Sequence, residues 1–113
     1  MRLKPSTING VLTVSVLEDR IDAASAIQFK ESMRDLTTCP ADRIILDLSQ
    51  VLFLDSSGLG AVVAVLKMLG PDRKLELAGL TATVEKVFRL TRMDSIFTIH
   101  KMQSDAGQNA VKA

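Results

Sequence analysis

A chain of 113 residues, 47% hydrophobic and 24% charged, is long enough to bury one real core and fits one domain. Lys+Arg 14 against Asp+Glu 13 leave a formal charge of +1, which argues against a general nucleic-acid binder, and four Phe with no Trp or Tyr leave little for base stacking. Cys39 is the single cysteine and cannot close an internal disulfide; no apolar leader follows Met1-Arg2-Leu3-Lys4-Pro5, and the longest apolar run is far shorter than a membrane span, so a soluble cytoplasmic protein is expected.

In chain order, Leu3 to Ile8 is a weak strand, confined to an edge by Pro5. Asn9-Gly10 is the strongest hairpin signal. The alternation of Leu12, Val14 and Val16 with Thr13 and Ser15 predicts a half-buried partner strand. Glu18 to Asp22 is a charged connection, and Asp22 is placed to cap a helix starting at about Ala23. Ala26, Phe29, Met33 and Leu36 recur along that helix at three- and four-residue steps, and Pro40 stops it. Arg43 to Leu48 is a strand whose unbroken apolar centre predicts cover on both faces.

Leu52-Phe53-Leu54 then ends at Asp55-Ser56-Ser57, and Gly58 and Gly60 precede a wholly apolar run from Ala61 to Leu66. Asp and Ser at such a junction are capping residues, and the glycines would let another chain approach the backbone. The following helix is expected from about Ser57 to Leu69, ending at Gly70-Pro71-Asp72. Its apolar run predicts a buried helix with part of its surface open for a partner. Lys74 to Ala78 is a further strand. Thr81 caps a third helix with Val84, Val87, Phe88 and Thr91 on one face. Ser95 to Ile99 is the last strand or its entry. The expected fold class is therefore α/β: a small domain over 1–102, with a mixed sheet, an N-terminal antiparallel hairpin and helices packed on the sheet. Residues 103–113 are expected to form a flexible tail.

Few chemistries fit these residues. A nucleophile elbow needs Gly-x-Ser-x-Gly, which neither serine satisfies, and the one histidine, His100, lies far along the chain. There is no phosphate loop, no dinucleotide fingerprint and no His/Cys cluster, so neither enzyme activity, cofactor nor metal is expected.

Asp55-Ser56-Ser57-Gly58-Leu59-Gly60 is similar to the signature of the anti-sigma factor antagonists, which are single STAS domains. The resemblance extends over most of the chain: Arg20-Ile21-Asp22 falls where that family has a Glu, an apolar residue and an Asp, and Thr91-Arg92-Met93 where it often has Thr-Gly-Leu. The resemblance implies phosphorylation at Ser56, the first hydroxyl after the acid. It also implies partner contacts around Asp22, Asp55, Ser57, Gly58, Leu59 and Gly60. The implied partners are an anti-sigma factor that is also a serine kinase of the GHKL type, and a PP2C-type serine phosphatase, without direct nucleic-acid or membrane binding. The alternative is a STAS scaffold without a phosphoswitch, of the stressosome or lipid-transport type. Residue chemistry alone does not rank Ser56 above Ser57.

Overall fold

The structure is a computed structural model describing residues 1–100; the expected tail at 103–113 lies outside the described residues. Strands β1 (Leu3–Ile8) and β2 (Val11–Val16) form the expected antiparallel hairpin. Its two-residue loop, Asn9-Gly10, has φ of 53° and 79°, the left-handed pair that a tight hairpin needs and that Asn and Gly tolerate best. Strands β4 (Arg43–Asp47), β6 (Lys74–Ala78) and β7 (Thr98–His100) follow in parallel, giving the order β1-β2-β4-β6-β7. Pro5 lies in the edge strand β1, as its missing N–H requires.

Three helices pack against this sheet: α1 (Ala26–Leu36), α2 (Ser56–Leu69) and α3 (Ala82–Leu90). One core unites Val14, Ile44, Leu46 and Leu77 of the sheet with Phe29 and Met33 of α1, Val62 and Val65 of α2, and Val84 and Phe88 of α3. Phe97 stands edge-on to Phe88, ring centroids 5.7 Å apart, and fixes the approach to β7. No helix among the described residues is long and apolar enough to cross a membrane.

The structure corrects four expectations. Helix α1 starts at Ala26, three residues late, because the Asp22 carboxylate accepts from the N–H groups of Ala24 and Ser25 and holds 23–25 as a turn. Strand β4 is not covered alike on both faces: Ile44 and Leu46 are buried under the helices, while Ile45 is half-buried on the opposite face beside Glu76. Thr91 lies beyond α3, exposed, with its hydroxyl donating to the Val87 carbonyl instead of packing. The charged connection at 18–22 contains a strand, β3 (Arg20–Ile21), which pairs in parallel with β5 (Phe53–Leu54). Two residues are too few to show any period, so this second sheet was illegible in the sequence.

Candidate functional site

The small β3–β5 sheet positions the candidate site. Ile21 and Leu54 are buried, so alternation turns Arg20 and Phe53 outward. The chain then passes from Leu54 into Asp55, the N-cap of α2. Asp55 Oδ1 accepts from the Gly58 N–H at 2.8 Å, the hydrogen bond expected of a capping Asp. Its Oδ2 accepts from the Ala23 N–H at 3.3 Å, so one carboxylate ties the start of α2 to the turn after β3. That turn is closed by Asp22 and Ser25: the Asp22 N–H donates to Ser25 Oγ, and Ser25 Oγ–H donates to Asp22 Oδ1. Partial desolvation acts against the Asp22 carboxylate, but hydrogen bonds from Arg20, Ser25 and Ala24 outweigh it and hold its pKa below the usual aspartate range. Asp22 and Asp55 thus lie on adjoining loops, 33 residues apart in sequence.

Ser56 and Ser57 open α2, and both are exposed. Neither hydroxyl bonds to any of the described residues. The first-turn hydrogen bond is already supplied by Asp55, so both hydroxyls remain available to an outside group.

The two glycines differ. A Cβ on Gly58 would lie 2.0 Å from the Ile21 carbonyl oxygen and 2.9 Å from Leu54 Cδ1. Gly58 is buried, and its missing side chain lets α2 close onto β3; it does not open the backbone to a partner as expected. A Cβ on Gly60 would meet nothing within 4 Å, and the residue is exposed. Leu59 is half-buried against the core.

The apolar run of α2 is explained by its double packing. Ala61, Val62, Val65 and Leu69 are buried, and α1 lies alongside as well as the sheet. Val63, Ala64 and Leu66 are half-buried and Met68 is exposed, so the expected partly open apolar flank is present.

Sequence reasoning missed the apolar platform beside Asp55. Leu52 and Phe53 are 61% and 43% exposed, large fractions for such side chains. The Arg20 guanidinium stacks over the Phe53 ring, 5.1 Å from its centroid, and reaches Asp22 Oδ2 at 3.4 Å. The only signal was the short apolar run Leu52-Phe53-Leu54 itself, too short for any period to show that two of its three side chains face outward.

On the far face of the five-stranded sheet a second polar cluster forms. Arg43 donates from Nε and Nη2 to the two Glu76 carboxylate oxygens at 2.9 and 2.8 Å, and His100 Nε2 bonds the same carboxylate. The Arg43 hydrogen bonds, aided by His100 and opposed by burial, pull the Glu76 pKa down to about 2. Glu76 is only 5% exposed, and these partners give both of its oxygens a hydrogen bond within the chain.

Three kinds of relative match the chain. The family model described as STAS domain matches residues 3–106. The anti-sigma-B factor antagonist of Listeria monocytogenes is 29% identical over 90 residues, covering 79% of each chain. Among solved structures, an anti-sigma factor antagonist from Mycobacterium paratuberculosis superposes with a TM-score of 0.81 at 25% identity, over 99% of this chain and 94% of that one. The Bacillus cell fate determinant SpoIIAA in its phosphorylated form superposes with a TM-score of 0.66 at 17% identity, over 96% and 99%, a likeness of fold alone.

Proposed function

The chain belongs to the STAS domain family, and we propose that it acts as an anti-sigma factor antagonist in a partner-switching pathway. Unphosphorylated, it binds an anti-sigma factor that is also a GHKL-type serine kinase; phosphorylated on Ser56, it lets go; a PP2C-type phosphatase restores it. It is a substrate and a binder in the cytoplasm, with no catalysis of its own and no direct contact with nucleic acid or membrane.

The observation that carries this reading is the Ser56 hydroxyl: exposed, without a bond to any described residue, and set on the first residue of α2 by an Asp55 cap that needs no help from it. Ser57 shares the exposure, and Ser56 ranks first through the family pattern. In the transfer, Ser56 Oγ bonds to the γ-phosphorus of ATP, the bridging P–O bond breaks, ADP leaves, and the hydroxyl proton passes to a base of the kinase. The names of the relatives from Listeria and Mycobacterium support the same class.

The partner surface follows from what lies around that hydroxyl. Ser57 and Gly60 are open, Gly60 one helical turn beyond Ser56 on the same face. Asp22, Leu52 and Phe53 flank them, and Met68 extends the surface along α2. Asp55 and Gly58 shape it from within, and Leu59 anchors it to the core. A phosphoserine adds about −1.5 to −2 charge at neutral pH. Covered by a partner surface built for a neutral hydroxyl, that charge loses its water with no cation offered by the partner, a cost of several kcal/mol.

With the cognate kinase and ATP, the wild type is expected to gain one phosphate and Ser56→Ala none, and the phosphoprotein to bind the kinase at least about a hundredfold more weakly. Phosphate mapped by mass spectrometry to Ser57 alone overturns the assignment.

A further inference from the structure

We propose that Arg20 is the counter-ion of phosphorylated Ser56: it leaves the Phe53 ring and Asp22 for the phosphate, so that modification remodels the apolar platform as well as adding charge. This rests on the reading of Ser56 as the phosphoacceptor.

The position comes from the register. Arg20 pairs directly with Phe53, and both face outward on the β3–β5 sheet. From Phe53 the chain reaches Ser56 in three residues, a span of at most about 10 Å. Arg20 is therefore one strand across and three residues back from the modified hydroxyl, with a long side chain on the open side.

Its present bonds are weak. The Arg20 side chain is 59% exposed; its contacts are 3.4 Å to Asp22, 4.0 Å to Asp19 and a stack on Phe53. Two other arginines show what a committed guanidinium looks like. Arg43 makes two short bonds to Glu76, and Arg73 donates to the carbonyls of Thr37, Cys39 and Ala41 at 2.7 to 3.0 Å. Nor does Asp22 depend on Arg20: its Oδ1 accepts from two backbone N–H groups and the Ser25 hydroxyl. Releasing Arg20 leaves the turn intact.

The modified site supplies the attraction. Asp55 directly precedes Ser56 and also holds the turn that follows Asp22, and a phosphate adds two further negative charges in the dianion. It also offers several oxygens to the planar guanidinium fork, a better match than one long bond to a carboxylate edge. When Arg20 moves, the Phe53 ring loses its stacked cation, and a partner that had docked on Leu52 and Phe53 meets a changed surface.

The test places phosphoserine genetically at position 56, without the kinase. In a phosphorus NMR titration the phosphate pKa is expected to lie roughly half a unit lower in the wild type than in Arg20→Gln, because a paired cation favours the dianion. The Phe53 ring proton resonances should shift on modification in the wild type and hold still in Arg20→Gln. Equal pKa values in the two proteins, or an unmoved Phe53 ring in the wild type, overturn the proposal. Arg20 is exposed and outside the core, and a circular dichroism spectrum checks that Arg20→Gln folds. Failure of the kinase to modify Ser56 would end the phosphoacceptor reading on its own and leave this measurement defined.

Discussion

The start of α2 and the far face of the main sheet are both polar, and they are polar in opposite ways. On the sheet, Glu76 is enclosed and every one of its neighbours is engaged: Arg43 holds both oxygens and His100 adds a third contact. At the start of α2, Ser56 and Ser57 are exposed and their hydroxyls bond to none of the described residues, and Gly60 leaves a bare patch of helix. A polar group whose hydrogen bonds close within the chain serves the fold. One whose bonds remain open, on a rigid support, is available to another molecule. Even within α2 the same division holds. Gly58 is closed off by the Ile21 carbonyl, and Gly60, two residues later, is open.

The largest expected effect tests that division inside α2. Gly58→Ala forces a methyl group into backbone that cannot move without separating α2 from β3. A loss of about 3 kcal/mol or more is expected, a melting temperature roughly 12 °C lower or worse in a thermal scan, or outright failure to fold. A near-normal melting temperature would show that the junction is looser than the 2.0 Å approach implies.

Next in size is the sheet cluster. Glu76→Gln breaks a nearly buried carboxylate from its arginine, but Arg43 is half exposed and screened, so a loss of about 1–3 kcal/mol is expected. The pH dependence has a definite sign. The folded pKa of about 2 lies below that of an ordinary glutamate, so the unfolded chain binds the proton first as pH falls. The stabilisation is full above about pH 5 and drains away towards pH 2. Denaturant titrations should show Glu76→Gln converging on the wild type in that window, while kinase binding at neutral pH stays normal. Weakened binding in a folded Glu76→Gln would blur the contrast between the two regions.

The smallest effect on stability is the sharpest test of the open side. Gly60→Ala adds a methyl group where nothing lies within 4 Å, and alanine favours a helix, so stability should rise by about 0.5–1 kcal/mol. Partner binding should nevertheless fall by at least about tenfold, because the surface that lies on this turn loses its close approach. Ser56→Ala serves as the reference, within about 0.5 kcal/mol of the wild type. Unchanged binding by Gly60→Ala would remove this turn of α2 from the interface.

Much of this fold was legible because its signals are local. Asn9-Gly10 dictates the hairpin turn whatever surrounds it, and the alternation in β2 and the three- and four-residue steps of α1 report which side is buried. The acid and serines before an apolar run located the cap of α2, and Asp55 fills it. Arg92 marks a limit of such reasoning. It takes a left-handed φ of 62° just past α3, where the resembled family often has glycine, so the turn forms against the residue's own preference.

By itself, then, the sequence determined the order of the helices and of the main-sheet strands, the class of the sheet and the cap at which α2 begins, since these depend on period, capping chemistry and turn chemistry within a few residues. Only the tertiary structure decided what that stretch is joined to. The pairing of Arg20-Ile21 with Phe53-Leu54 brings Asp22 beside Asp55, presses Gly58 onto a carbonyl and lays a cation on an exposed ring. Each of these is a contact between segments some thirty residues apart. Such contacts depend on where the core puts the two chains, and no local pattern in either segment encodes that.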